Sequence, residues 1–316
     1  MMTKRLIIDT DMGVDDAHAL LMALADKDAE VIGITTVVGN VGLQQVVKNT
    51  GHVLDIAGKV VPYYGGTQTP LVSRPIPPSG LMGIDGLGNT THSLDTPQHQ
   101  PDEEAAVLAL IRMVKEADKD DDFTLVALGP LTNLALAVRM MPDFAARVPR
   151  LVVMGGAYKA MGNETWAAEF NFFGDPEAAR IVLEAGFEDI WILPWEVSVE
   201  QMLLWPEYET LIALEGPRAR FFEQITGASK KVLRDQFRLP GMPIPDQLAM
   251  AVALDPEGVI DEAVHVLVDV ELKGRHGRGM LAIDWNHSGG AANAHIVTRV
   301  HKDAALKIMK AGLSVG

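Results

Sequence analysis

The sequence contains no cysteine, and its basic residues are outnumbered by its acidic ones. Without cysteine the chain has no disulfide bonds, thiolate nucleophiles or thiolate metal ligands. The 27 lysine and arginine residues stand against 42 aspartate and glutamate residues, which gives a formal net charge of −15. Because nucleic-acid phosphates bind to basic surfaces, we expect no nucleic-acid partner.

Long apolar runs are also missing from the sequence. No run is long enough to span a bilayer, and a strand-like run directly follows the opening Met-Met-Thr-Lys-Arg, without the apolar core of a signal peptide. Apolar residues nevertheless make up 48% of the 316 residues and charged residues 22%, which favours a folded core over disorder. We expect one cytoplasmic domain, residues 1–316, that acts on a small molecule and has no membrane partner.

Strand-like and helical runs alternate along most of the chain. After a first strand at 6–8 and a helix from Val14, the strand-like runs are 31–38, 60–64, 124–128, 151–154 and 190–193, and the helical runs are 43–57, 133–140 and 175–185. This βαβ alternation predicts an α/β fold with an open, mostly parallel, Rossmann-like sheet and helices on both faces.

Some regions depart from this alternation. Segment 62–101 is rich in Pro, Gly, Ser and Thr and predicts a long irregular excursion, which in compact domains is usually functional or mobile. Segment 206–253 is mainly helical, with a proline-rich break at 239–245. The later runs 264–272, 280–284 and 294–300 predict a small β meander, followed by a helix at 302–311.

Four carboxylates lie close together in the first sixteen residues: Asp9, Asp11, Asp15 and Asp16. The first strand precedes them and the helix begins among them, so we expect them to meet where the strand ends and the helix starts. Such a concentration of like charge is unfavourable unless a cation neutralises it. The sequence therefore predicts a divalent-metal site at the mouth of the sheet.

Other interpretations of these carboxylates explain less. A helix cap accounts for Asp15 or Asp16 but leaves the others unexplained. An EF-hand loop that starts at Asp9 would need Gly at its sixth position and Glu at its twelfth, where Val14 and Leu20 stand. A phosphatase with an aspartate nucleophile would share Asp-Thr-Asp, but such motifs usually carry Thr or Val in place of Gly13.

Further polar groups follow other predicted strands, whose carboxyl ends are where α/β sheets bind ligands. They are Asn40, the carbonyl of Leu128, Asn163, Glu169 and Asn171, and the helical region adds Asp246 at a predicted helix start. Asn40 and Asn163 are also typical turn residues, and Asp246 is also a typical helix cap. Asn133 and Asp175 are typical helix caps as well, and we leave these two out of the site. Period-two spacing points Glu169 and Asn171 the same way. A carboxylate and two amides beside a metal suit the adjacent hydroxyls of a sugar.

A set of short motifs occurs in order along nearly the whole chain. They are Asp-Thr-Asp-Met-Gly-Val-Asp-Asp-Ala at 9–17, Thr-Val-Val-Gly-Asn at 36–40, Asp-Gly-Leu-Gly at 85–88, Leu-Gly-Pro-Leu-Thr-Asn at 128–133, Met-Gly-Gly-Ala at 154–157, Glu-Phe-Asn at 169–171, and Asp246 with its following helix. This ordered set resembles the inosine–uridine-type nucleoside hydrolases, which bind calcium and split ribonucleosides into free base and ribose. The resemblance implies a nucleoside hydrolase fold, a role in purine or pyrimidine salvage and a homodimer or homotetramer.

The resemblance also implies a role for each site residue. Calcium would be bound by Asp11, Asp16, the Leu128 carbonyl and Asp246, and Asp11 would be the general base that activates the attacking water. The ribose hydroxyls would be held by Asp15, Asn40, Asn163, Glu169 and Asn171. Calcium prefers oxygen ligands and accepts high coordination, which leaves room for sugar hydroxyls and water.

The sequence departs from the family where the base should bind. Many members carry one histidine directly before the last metal aspartate and another before the Gly-x-Asp-Gly-Leu-Gly stretch; Pro245 and Met82 stand at these positions. Candidates for stacking on the base instead are Trp166, Trp195, Trp205 and Trp285, of which Trp195 is preferred, and Arg234, Gln236 and Arg238 are candidates for facing it. Alternatives are hydrolysis of a riboside with a modified or cationic base, and a non-catalytic protein that binds nucleosides or ribose.

Overall fold

The computed structural model describes residues 3–77, 80–117 and 122–314, which fold around an eight-stranded sheet. The strands are β1 (Lys4–Thr10), β2 (Ala29–Thr36), β3 (Tyr63–Tyr64), β4 (Phe123–Ala127), β5 (Arg150–Met154), β6 (Ile190–Leu193), β7 (Leu203–Leu204), β8 (Gly241–Met242), β9 (Ile260–Val266), β10 (Val268–Val270), β11 (Leu281–Ile283) and β12 (Ala294–Val300).

The helices lie mostly between these strands in the chain. They are α1 (Val14–Ala25), α2 (Leu43–Ala57), α3 (Ala106–Glu116), α4 (Thr132–Met140), α5 (Phe144–Arg147), α6 (Phe170–Gly174), α7 (Pro176–Leu183), α8 (Trp195–Glu200), α9 (Trp205–Ile212), α10 (Pro217–Lys231), α11 (Pro245–Leu254), α12 (Pro256–Val259) and α13 (Lys302–Leu313). A 3₁₀ turn spans Thr91–Ser93, and a π-helical turn, Val232–Gln236, continues α10.

The main sheet has the strand order β3-β2-β1-β4-β5-β6-β12-β9. Its neighbouring strands are parallel, except that β9 runs antiparallel to β12 at one edge. Burial on both faces explains the unbroken apolar run of β1, in which Leu6 and Ile8 pack with α1 and α11 while Ile7 packs with α3 and α4. The predicted α/β fold with a mostly parallel sheet is confirmed.

The order of the strands places a crevice beside β1. The chain runs from β1 outward through β2 and β3, and then returns to the other side of β1 as β4. Ligands of open α/β sheets bind at such a switch point, outside the carboxyl ends of the strands. The segments that follow Thr10, Thr36 and Ala127 therefore converge on one place.

Several local predictions differ from the structure in detail. The predicted strand at 60–64 is limited to Tyr63–Tyr64, and the excursion at 62–101 is irregular apart from that strand and the 3₁₀ turn, with Pro78 and Ser79 outside the described residues. The late strands are present, but β9 and β12 extend the main sheet while β10 and β11 form a separate pair. Within the described residues, no helix combines the length and apolarity needed to cross a bilayer.

Candidate active site

A cavity of about 740 Å³ opens at the carboxyl edge of the sheet. Its polar lining comes mainly from strand ends, the loops after them and the first turns of helices: Asp11, Asp15, Asn40, Leu128, Asn163, Glu164, Glu169, Asn171, Asp246 and Gln247, with Ser229 of α10 and Gln236 of the π-helical turn. Its apolar lining comes mainly from loops and the π-helical turn: Leu81, Met82, Trp195, Val232, Leu233, Phe237, Leu239 and Met242. The same cavity therefore combines a lining rich in oxygen atoms with an apolar lining.

An acidic cluster lies at the polar end. Carboxylate oxygens of Asp15, Asp16 and Asp246 all lie within 4.8 Å of one another. Asp11 is close enough that the charges of Asp15 and Asp16 act on it and that its own charge acts on Asp246. Asp15 and Asp16 lie in the first turn of α1, and Asp246 in the first turn of α11. Two helix N-termini, with their positive dipole ends, therefore face the same carboxylates. Asp16 lies beneath the cavity surface and is fully buried.

Burial and mutual repulsion disfavour the charged forms of these groups. Burial, followed by the neighbouring carboxylates, raises the pKa of Asp11 and of Asp246 well above the ordinary value. The same causes raise the pKa of Asp15 to about 7. Among the described residues, the charged neighbours that act on these three groups are all carboxylates, so a bound cation would relieve their repulsion and favour their charged forms. A hard cation that prefers oxygen ligands fits this donor set.

Backbone contacts hold Asp11 in place. The N–H of Asn40 donates to its Oδ2 over 2.7 Å. A Cβ atom added at Gly39 would lie 2.0 Å from the same oxygen, so the loop after β2 approaches Asp11 this closely only because residue 39 is glycine.

Asp16 is held by three donors. The Thr10 hydroxyl donates to its Oδ1 over 2.5 Å, and the Gly13 N–H and the Asn40 side chain donate to its Oδ2 over 2.8 and 3.2 Å. The Gly13 contact makes Asp16 part of the cap of α1, as one of the alternative interpretations proposed. The cap and the acidic cluster therefore use the same carboxylate.

The polar lining continues along α6. The Glu169 carboxylate accepts hydrogen bonds from the N–H groups of Asn171 (2.7 Å), Gly156 (2.9 Å) and Phe172 (3.1 Å), and burial raises its pKa to about 7. The period-two spacing predicted from the sequence for Glu169 and Asn171 is wrong, because Glu169 caps a short helix. Glu169 and Asn171 still line the same cavity.

Of the two residues considered only as helix caps, Asp175 is a cap and Asn133 is not. Asn133 is not the cap of α4, because that helix begins with Leu131 at its N-cap. Its side chain instead donates to Asp9 and to the carbonyl of Thr36, both over 2.8 Å, and so ties β1 and β2 together beneath the cavity. Asp9 belongs to this network and does not line the cavity. Asp175 does cap α7, accepting from Ala178 over 3.1 Å.

The predicted site residues meet in this cavity. Asp11, Asp15, Asn40, Leu128, Asn163, Glu169, Asn171, Trp195 and Asp246 line it, and Asp16 lies directly beneath. Of the tryptophans considered, Trp195 belongs to the lining and Trp166, Trp205 and Trp285 do not. Gln236 belongs to it, and Arg234 and Arg238 do not.

Comparison with known proteins identifies the family. Residues 6–307 match the family model of the inosine-uridine preferring nucleoside hydrolases. The chain belongs to this family. It is 33% identical over 287 residues to the inosine-uridine preferring nucleoside hydrolase of Crithidia fasciculata, covering 90% of this chain and 89% of that protein. It is 31% identical over 278 residues to the pyrimidine-specific ribonucleoside hydrolase RihB of Escherichia coli, covering 88% and 87%.

A solved structure agrees with these relatives. The structure of an inosine-guanosine nucleoside hydrolase superposes with a TM-score of 0.92 at 33% identity, covering 100% of both chains. The predicted nucleoside hydrolase fold and the predicted N-glycosyl hydrolase are thereby confirmed. The three relatives are named for different bases, so membership of the nucleoside hydrolase family does not determine which base this chain releases.

The two positions at which this chain lacks the histidines that many nucleoside hydrolases carry both line the cavity. Pro245 and Met82 belong to its lining. None of the described lining residues is a histidine, lysine, arginine or tyrosine. This nucleoside hydrolase therefore offers its leaving base no imidazole from the described lining.

Proposed function

We propose that this nucleoside hydrolase uses calcium to cleave the N-glycosidic bond of a ribonucleoside, giving free base and ribose. The observation that carries the proposal is the single cavity in which buried, mutually repelling carboxylates lie next to oriented amides and an apolar lining. The carboxylates suit a cation, the amides suit sugar hydroxyls, and the apolar lining suits a heterocyclic base.

Calcium would be held by oxygen atoms from three distant parts of the chain. The proposed ligands are Asp11, Asp16, the Leu128 carbonyl and Asp246. Asp15 is a further candidate, because its carboxylate oxygen lies within 4.8 Å of those of Asp16 and Asp246. The donor set contains only oxygen, and the charged groups that act on its carboxylates among the described residues are other carboxylates, which supports a hard divalent cation such as calcium. When bound, the ion would supply positive charge that favours ionisation of water and orients it toward the sugar.

Asp11 is the proposed general base. It lines the cavity, and its Oδ2 is fixed by the Asn40 N–H. In this role it accepts a proton from the water whose oxygen attacks the anomeric carbon. A positioned base of this kind typically contributes a factor of about 10² to 10⁴ to the rate.

The remaining polar residues are proposed to hold the ribose. Asp15, Asn40, Asn163, Glu169 and Asn171 present carboxylate and amide groups to the cavity. Because glycoside cleavage passes through an oxocarbenium-like transition state, these groups also stabilise the positive charge that develops on the sugar. Trp195 is proposed to stack on the base.

A riboside with a modified or cationic base is a second candidate substrate. The observation in its favour is the described lining, which contains several carboxylates and no basic side chain. A cationic base leaves as a neutral molecule and so needs no acid.

The test is a reducing-sugar assay over a panel of nucleosides, including one with a cationic base, with and without EDTA. Ribose release that stops with EDTA and resumes with added calcium supports the proposal. Tight nucleoside binding without ribose release would show a binding protein and overturn it. Release that survives EDTA would overturn the role of the metal.

A further inference from the structure

Gln247 is a buried polar side chain of the cavity whose amide has no hydrogen-bond partner among the described residues. It lines the cavity and is only 2% exposed, and its Oε1 is buried without a hydrogen-bond partner among the described residues. Buried side-chain oxygens in native proteins are nearly always hydrogen-bonded, and the exceptions call for an explanation. A ligand in the cavity supplies one.

Four of the other amide and hydroxyl side chains of the lining already have hydrogen-bond partners. Asn171 donates to the carbonyls of Leu128 and Met154, and Asn40 donates to Asp16. Asn163 accepts from the Phe170 N–H, and Ser229 donates to the Leu81 carbonyl. Gln236 also lines the cavity, but it is exposed, so water can satisfy its amide.

Gln247 is close in sequence to residues of both linings. It follows Asp246 in the first turn of α11. Successive helical residues project about 100° apart, so its side chain leaves the helix in a different direction from that of Asp246. Met242 and Pro243, just before α11, belong to the same lining.

The N–H of an amide can stabilise the negative charge that the base acquires as it leaves. When the C–N bond breaks, its electron pair stays on the base, the oxygen of water bonds to the anomeric carbon, and the base takes its proton from solvent after departure. Negative charge on a base that contains a lactam spreads to the ring carbonyl, where an N–H donor stabilises it. The described lining contains no histidine, lysine, arginine or tyrosine for this purpose, and its Glu164 is exposed.

We propose that the Gln247 amide pairs with a lactam edge (–CO–NH–) of the base, donating to the carbonyl and accepting from the N–H. A primary amide has this donor and acceptor side by side. The pair would fix the preferred class of base and stabilise its departure. The inference rests on the proposed function, because it needs a riboside in the cavity.

The test compares wild type, Gln247→Met and the control Gln224→Met, which replaces an exposed glutamine on α10. The substrates are inosine and uridine, which carry a lactam edge, and p-nitrophenyl β-D-ribofuranoside, which does not. We expect Gln247→Met to lower kcat/KM for the nucleosides about 10- to 100-fold. The ratio of kcat/KM for inosine to that for the aryl riboside should fall at least about tenfold. Gln224→Met should keep the wild-type ratio.

Thermal unfolding without ligand separates this role from a structural one. Methionine has a similar shape and removes the unpaired amide, so we expect the Tm of Gln247→Met to equal or exceed that of wild type. A structural role would lower the Tm and would reduce activity on all substrates alike, and that result overturns the inference. An unchanged substrate ratio also overturns it, while the proposed function stands. If wild type releases ribose from neither inosine nor uridine, the inference is overturned, whereas the proposed function is decided separately by the wider nucleoside panel described above.

Discussion

The side-chain nitrogen of Asn171 donates a hydrogen bond to the carbonyl oxygen of Leu128 over 2.6 Å. This contact joins α6 to the end of β4. Leu128 is a proposed calcium ligand and Asn171 a proposed ribose ligand, so the hydrogen bond connects the two halves of the polar lining. It leaves the second lone pair of the carbonyl free for a cation.

Removal of this hydrogen bond should weaken metal binding. Groups that orient metal ligands typically account for about 10- to 100-fold in affinity, and we expect a loss of this size for Asn171→Ala. Isothermal titration with calcium measures it. Asn286→Ala, in an exposed turn, serves as control. An affinity equal to that of wild type would show that Asn171 does not orient a metal ligand.

Replacement of Asp11 should separate catalysis from stability. We expect Asp11→Asn to lower kcat by a factor of about 10² to 10⁴ or more, because the general base is lost. Without metal, its Tm should not fall, since the substitution removes one of several repelling buried carboxylates. Steady-state kinetics and thermal unfolding in EDTA check the two parts. An active variant would show that Asp11 is not the base.

Metal removal should lower the stability of the protein. Calcium at 100 times its dissociation constant would stabilise the folded state by about 2.7 kcal/mol, and EDTA would abolish this contribution. Thermal unfolding with calcium, with magnesium and with EDTA measures the effect, and we expect the larger rise in Tm with calcium. Asp246→Asn removes a proposed ligand, so calcium should raise its Tm less than it raises the Tm of wild type. An equal rise in Tm for the two proteins would exclude Asp246 as a ligand.

Glu169 should make stability depend on pH. Burial raises its pKa to about 7 from an ordinary 4.5, so the folded protein retains a proton that the unfolded chain releases. The stabilisation is complete below pH 4.5 and is lost as the pH rises to about 7. Between pH 5 and 8, the free energy of unfolding of wild type should therefore fall by roughly 2–3 kcal/mol more than that of Glu169→Gln. Urea denaturation at both pH values measures the difference, and parallel curves would contradict the prediction.

Replacement of Trp195 should weaken the interaction with the base and leave calcium binding unchanged. Stacking of a base on an aromatic side chain contributes about 1–3 kcal/mol, so Trp195→Leu should lower kcat/KM for nucleosides about 5- to 150-fold. Calcium affinity should remain that of wild type. Trp285→Leu replaces a half-exposed tryptophan outside the cavity lining and is the matched control. Similar losses in both variants would argue against stacking by Trp195.

Local patterns predicted the parts of the site that are close in sequence. The carboxylates after β1 were predictable because a strand end and a helix start fix their positions within a few residues. The helix Leu43–Ala57 was predicted with its observed bounds, since its apolar residues follow the helical period. Asp246 could be linked to this cluster only through the resemblance to a family, because more than two hundred residues separate it from Asp16.

Contacts between distant residues were not predictable from local patterns. Asn133 was interpreted as a cap because nothing near it in the sequence reveals its bond to Asp9. The helix at 170–174 was missed because its capping carboxylate, Glu169, also fits an alternating pattern. The apolar lining from 80–82 and 232–243 has no regular period, and only the fold brings these segments to the cavity.

The π-helical turn Val232–Gln236 contributes to the apolar lining from outside the central sheet. Val232 and Gln236 line the pocket and are less buried than Leu233, which packs in the same core cluster as Leu6 and Ile8 of β1. Substitutions at these two positions therefore change the pocket with the least effect on that core. A combinatorial library restricted to this turn and the adjoining loop would therefore be a practical route to enzymes that accept new nucleobases.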